Sequence, residues 1–244
     1  MDSASVNRDP VESAACCGRA GPPWLALAAF AVAFGCVEAV LVADLRFFLD
    51  PQRTQFPLVR LPPELLALER VREAATLVVL AGAASLVRAC AAARFATFLF
   101  VFGVWDMAYY AALRSLWGWP GSLADWDLLF LLPVPWLGPV FAPLVISAVM
   151  VSVAVLTWRS ERRGSCFRVR ARHVGAAAIG AAACVWSFVG DAHGRALEAL
   201  PARYPVEFLV VGLLIAALGY ADAWRFNRRA SASRRRAKAP DRGT

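Results

Sequence analysis

Apolar runs of about 20 residues, the length that crosses roughly 30 Å of hydrocarbon as a helix, recur along the chain. This feature constrains the fold most, because a backbone in lipid has no water and must satisfy its own polar groups. With 244 residues, 59% of them hydrophobic, and a mean hydropathy of +0.54, the chain holds more apolar surface than a soluble domain of its size buries. Six spans follow from length and flanks: Trp24–Ala43, Glu69–Val87, Phe95–Leu113, Trp136–Thr157, Val174–Val189 and Pro205–Ala223. The expected fold is all-α, a polytopic membrane helix bundle of six transmembrane helices in one domain over residues 24–225. A disordered cytoplasmic N-terminus (1–23) precedes it, and a basic disordered cytoplasmic tail (226–244) follows.

The net charge of +8 is distributed between and after the apolar runs. With both termini in the cytoplasm, 18 of the 26 basic residues fall on the cytoplasmic side, most of them in Trp158–His173 and in the tail from Arg225. Positive loops stay inside, so this orientation is the expected one. Trp24, Trp117, Trp119, Trp136, Trp158 and Trp224 sit at span ends, where indole rings favour the headgroups. Only one basic residue is a lysine, Lys238, and alanine is abundant, as in proteins of GC-rich bacteria; the expected location is a bacterial inner membrane. No nucleic-acid-binding module accompanies the basic tail, so its expected partner is the anionic lipid surface.

Asp2, Asp9 and Glu12 dilute the positive charge of the N-terminus, and no cleavage site follows the first apolar run, so that run is expected to remain as a span. Ser13-Ala14-Ala15-Cys16 has no apolar segment before it and does not read as a lipoprotein site. Cys16, Cys17, Cys90 and Cys166 fall on the cytoplasmic side and Cys36 and Cys184 within spans, which argues against a disulfide framework. Small residues four apart (Ala31 and Gly35, Ala81 and Ser85, Ala176 with Gly180 and Cys184, Gly212 and Ala216) predict close helix packing, within one chain or in a homo-oligomer.

Ionisable residues within spans carry the functional signal, since each costs at least ~2.5 kcal/mol at mid-membrane. Glu38 lies near the outer end of the first span. Glu69, Arg72, Glu73 and Thr76 share one face of the second. In the third, Asp106, Tyr110 and Arg114 repeat every four residues beside Tyr109. Glu38, Glu73, Asp106 and Tyr110 all map to the outer half of the membrane and are expected to form one cluster. Two readings stay open: a network in which Arg72 neutralises Glu69, Glu73 or Asp106 and only sets helix register, and a binding or catalytic site. Carboxylates in a poorly hydrated site suit proton relay or acid-base work; arginine with tyrosines suits a phosphate or carboxylate. Glu69, Arg70 and Arg114 are placed to snorkel to water.

No metal or cofactor is expected, because His173 and His193 lie outside the bundle interior and Asp191 with His193 reads as a solvated loop. No glycine-rich phosphate loop, serine nucleophile elbow or HExxH is present.

The run WDLLFLLPVPWLGPVFAPLV is apolar but holds Pro133, Pro135, Pro139 and Pro143. As one helix, Leu128–Trp158 would extend about 46 Å, too long for one crossing, so the prolines are expected to divide it. The pattern predicts a short outer-side helix, interfacial or re-entrant, over Leu123–Leu132. Asp125 and Asp127 would lie near its positive end, followed by a turn over Pro133–Pro139 and a crossing from Trp136.

The stretches EAVLVADLRFFLDP, FPL, ERVREAATLVVL and WDMAYYAALRSLWGWPGSLADWDLLFLLPVPWLGPVFAP resemble a group of uncharacterised multi-spanning bacterial inner-membrane proteins, over about Glu38 to Ser152. That resemblance implies a membrane location and no activity.

The leading expectation is a protein that binds or transports a small solute or ion in an outer-half polar cavity formed by Glu38, Glu69, Arg72, Glu73, Asp106, Tyr109, Tyr110 and Asp127. An intramembrane enzyme acting on a lipid or polyprenyl headgroup, and an accessory subunit without a site, are the alternatives. Reporter fusions after Arg163 and Thr244 are expected to read cytoplasm and one at Gln55 the opposite side; the reverse pattern contradicts the orientation.

Overall fold

A computed structural model describes residues 21–50, 62–162, 167–190 and 203–237. Cys16, Cys17, Cys166, Asp191, His193, Lys238 and the N-terminal residues 1–20 lie outside the described residues. In chain order the elements are α1 (Trp24–Leu49), α2 (Pro63–Ser85), α3 (Ala91–Trp117), β1 (Trp126–Phe130), β2 (Trp136–Pro139), α4 (Phe141–Glu161), α5 (Ala171–Val189) and α6 (Val206–Ala237).

Five of these helices, α1, α3, α4, α5 and α6, are long and apolar enough to cross a membrane. The chain is therefore an integral, multi-pass membrane protein. Leu25 at 89% exposure, with Val78 and Leu218, shows that the bundle turns large apolar side chains outward as well as inward, an arrangement lipid tolerates and water does not. The expected sixth crossing falls on α2. At 23 residues it is long enough, about 34 Å, but Glu64, Glu69, Arg70, Arg72 and Glu73 crowd its first half.

Close backbone approach assembles the helices, as expected where lipid removes any hydrophobic drive between them. A Cβ on Gly35 would come within 2.5 Å of the Trp105 carbonyl, so only glycine lets α1 lie this close to α3. Gly180 and Gly212 do the same for α5 and α6: a Cβ on either would meet the other's carbonyl oxygen at 2.6 and 2.5 Å. Gly103 against the Ser147 carbonyl joins α3 to α4. The Ala81 and Ser85 pair of α2 is an exception to the expected packing, because both residues are exposed.

The bundle falls into two parts. In the first, α3 packs against α1, α2 and α4; in the second, α5 and α6 pair closely with each other and touch the first part sparsely. At the far end, Asn227 of α6 closes the chain on itself, accepting from the Arg168 amide at 2.7 Å and donating to the Arg168 carbonyl at 2.9 Å. Helix α6 continues through Ala237, so the basic segment expected to be disordered from 226 is helical as far as 237.

The proline-rich stretch departs most from expectation. Residues 123–132 do not form a short helix. Trp126–Phe130 and Trp136–Pro139 pair antiparallel as a β-hairpin, with Trp126 opposite Pro139, Asp127 opposite Gly138 and Leu128 opposite Leu137. An irregularity between Leu128 and Phe130 shifts the register so that Phe130 faces Trp136. A short apolar run bounded by prolines fits a buried strand as well as a helix, and Pro133 and Pro135 leave too few residues for a stable helix while Trp and Phe favour strands. A hairpin also satisfies backbone groups across its two strands. Asp125 caps no helix; its Oδ2 accepts from the Gly121 amide at 2.8 Å and the Ser122 amide at 3.2 Å, shaping the turn before β1. Helix α4 then starts at Phe141, five residues later than the expected crossing.

The hairpin bridges the two parts of the bundle at one end. Trp136 stacks on Phe188 of α5 at 6.1 Å, and Gly138 leaves room for the Phe188 ring, which a Cβ would meet at 2.7 Å. Tyr204, just before α6, packs edge-on against Trp126 and shares a 2.7 Å hydrogen bond with Ser187. Burial pushes the Tyr204 phenol up to about 12, so it holds this contact as a neutral group.

Candidate functional site

A cavity of about 940 Å³ lies between the two parts of the bundle, beneath the hairpin. All eight residues expected to form the site line it: Glu38, Glu69, Arg72, Glu73, Asp106, Tyr109, Tyr110 and Asp127. They come from α1, α2, α3 and β1, and they divide by what their polar atoms do.

The first group is an ion-pair network. Arg72 bonds Glu38 through Nη1 and Glu69 through Nε (3.0 Å) and Nη2 (2.8 Å). The other Glu38 oxygen accepts from Thr76 Oγ1 at 2.7 Å. Arg72 and Thr76 are one helical turn apart, so both reach the Glu38 carboxylate across the α1–α2 contact. Glu38 is only 3% exposed, and a carboxylate so buried needs a cation and donors on it. Arg72 thus pairs with Glu38 and Glu69, and not with Glu73 or Asp106 as the spacing also allowed.

A second group fastens the hairpin. Asp127, 1% exposed, takes a 2.9 Å hydrogen bond from Tyr110 and a 3.5 Å contact from Arg46, and accepts its neighbour Leu128's amide at 2.8 Å. It lies on a strand, not at a helix start. Glu73 accepts the amide of Leu131 at 2.8 Å, satisfying a buried donor beyond the end of β1. Three long-range contacts therefore tie β1 and the turn after it to α1, α2 and α3.

The third group is not occupied in this way. Asp106, 7% exposed, accepts from Ser147 Oγ at 2.8 Å through Oδ2 and has no other hydrogen-bond partner among the described residues. No guanidinium among the described residues contacts it. Trp105 and Trp136 also line the cavity, and the buried Nε1 of each lacks an acceptor among the described residues. Tyr109 lies against Trp105, with ring centroids 6.3 Å apart. The lining carries five carboxylates, Glu38, Glu69, Glu73, Asp106 and Asp127, against two guanidiniums, Arg46 and Arg72, among the described residues.

Sequence reasoning missed Arg46, Ser147 and the two indole N–H groups, and left Thr76 out of the site. Thr76 carried a signal, lying on the face of Glu69, Arg72 and Glu73. Ser147 carried none, since no ionisable residue lies near it in its apolar helix to mark it out from Ser152. Arg114, outside the site, donates to the carbonyls of Gly118 and Pro120 at 2.7 and 2.8 Å and closes the end of α3. His173 lies at the opposite end of the cavity, where its Nε2 meets Asp222 at 3.0 Å and its Nδ1 accepts from the Arg170 amide.

Comparison with protein-family models, curated proteins and solved structures gives no match for this chain.

Removing Arg72 leaves Glu38 buried without its cation. Stranding a buried charge costs about 3–5 kcal/mol, less here because the Arg72 side chain is 24% exposed. Arg72→Ala is expected to lower the thermal unfolding midpoint in lipid nanodiscs, and adding Glu38→Gln to recover much of the loss. A double variant no more stable than Arg72→Ala contradicts the role of this pair.

Proposed function

We propose that this protein binds and transports a small cationic solute or ion, proton-coupled, through the acidic cavity beneath the hairpin. One observation carries the reading: Asp106, nine-tenths buried and lining the cavity, has a hydroxyl as its sole partner and no cation among the described residues. A carboxylate in so poor a solvent takes up a proton or a positively charged guest. The excess of acids over arginines around it favours the same guest.

No group of three His, Cys, Asp or Glu among the described residues is placed to hold a metal ion, so an organic ammonium or a proton suits the site better than a hard divalent cation. The alternative of a lipid-headgroup enzyme needs an arginine free for phosphate. Arg72 is engaged by two carboxylates and Arg46 reaches a third, which counts against it. The reading takes the protein as a bacterial inner-membrane protein with both termini cytoplasmic and α2 as a sixth crossing. The cytoplasmic concentration of arginines and the length of α2 support this, and the hairpin then lies on the outer side.

The test uses proteoliposomes carrying an internal pH dye and gradients of sodium, potassium or ethylammonium. Wild-type protein is expected to couple one of these gradients to proton movement, and Asp106→Asn to reduce that flux at least tenfold while keeping the wild-type helical content. Equal flux from the variant contradicts the proposal.

A further inference from the structure

The cavity is much longer than a small ion requires. Along α4 it is lined from Pro143 to Thr157, a distance of about 21 Å at 1.5 Å per residue. Its polar groups are concentrated at the hairpin end. From Ser147 to Thr157, about 15 Å along the same helix, the α4 lining is Val149, Met150 and Val153, faced by Phe98, Leu99 and Ala217. Toward the far end Thr157 and Tyr220 meet, their hydroxyls 3.1 Å apart, and the lining continues to Val169 and His173. The Tyr220 hydroxyl, the polar side chain nearest this stretch among the described residues, is already taken up by the Val153 carbonyl at 3.4 Å and by Thr157, so a hydrated ion gains little here, whereas a hydrocarbon chain fits without leaving a polar group unpaired.

The head end makes two demands of an occupant. Among the described residues, Asp106 presents a carboxylate with no cation, and the buried Trp105 Nε1, on a residue 7% exposed, presents a donor with no acceptor. A protonated amine beside a hydroxyl or carbonyl oxygen meets both demands at once. Because α5 and α6 pack tightly on each other and only sparsely on the rest, the seam between the two parts of the bundle is the side by which a molecule already in the bilayer would enter.

We infer that the natural occupant is a membrane-resident amphiphile with a cationic head at Asp106 and a single apolar tail running along α4 toward Thr157 and Tyr220. This rests on the cation-binding reading above and specifies the chemical class of the guest.

The test is photolabelling of the full chain in phosphatidylcholine nanodiscs with a dodecylammonium probe carrying a diazirine at the tail end. Peptide mapping is expected to place the label at the far end, on residues such as Met150, Val153 or Tyr220. Excess dodecylammonium should suppress it at least tenfold, and Asp106→Asn should do the same. Labelling confined to outward residues such as Leu25 and Leu218 overturns the inference, whether lipid or a second copy of the chain fills the cleft. Suppression by ethylammonium as strong as that by dodecylammonium overturns the tail assignment and leaves the small-cation reading standing. Suppression by dodecyl sulfate but not by dodecylammonium overturns both.

Discussion

The ion pair between Arg72 and Glu38 is the constraint on which the polar end of this protein depends. Glu38, buried on α1, carries a charge that its apolar surroundings cannot stabilise, so it must meet a cation, and Arg72 of α2 supplies it. Their meeting fixes α2 against α1 at one rotation, with Thr76 and Glu69 completing the donors and acceptors. Once α2 is held so, Glu73 faces the turn after β1 and takes the Leu131 amide. The hairpin then carries no orphaned buried donor at that point.

The same economy explains why the cavity exists. Tyr110, Arg46 and Glu73 hold the hairpin from one part of the bundle, and Phe188 and Tyr204 hold it from the other. It spans the gap as a bridge, while below it α6 meets α4 only sparsely, through Tyr220 with Thr157 and the Val153 carbonyl. The Gly180 and Gly212 contact keeps that second pair together without drawing it onto the first. A space opens whose top is acidic and whose length is apolar, and Asp106 stands where the two meet.

Much of this was legible in the chain itself. Apolar length marked the helices to within a few residues at most of their starts, as for Trp24 of α1 and Val206 of α6. The ends of α1, α3, α4 and α6 ran further, because a helix continues past the hydrocarbon until a stop such as Gly118, at φ 72°, ends it, whereas α5 ends at Val189 as expected and α2 two residues early. The site residues were legible because a charge in a span has few explanations, and helical spacing put Glu69, Arg72, Glu73 and Thr76 on one face. The hairpin was not legible. Trp126 to Phe130 has no polar alternation by which a strand could be told from a helix, and its pairing is set by contacts with residues far away in sequence. Asp127 was singled out for a place near a helix start, yet its burial and its bond to Tyr110 come from the strand.

The account stands or falls on whether the cavity is filled as its lining implies. Cryo-electron microscopy of the full chain in lipid nanodiscs tests this most directly. It is expected to show the hairpin bound to Glu73 and Tyr110 and an elongated non-protein density running from Asp106 along α4. Helices α5 and α6 closed onto α3 and α4, or Asp106 paired to an arginine of its own chain, would contradict it.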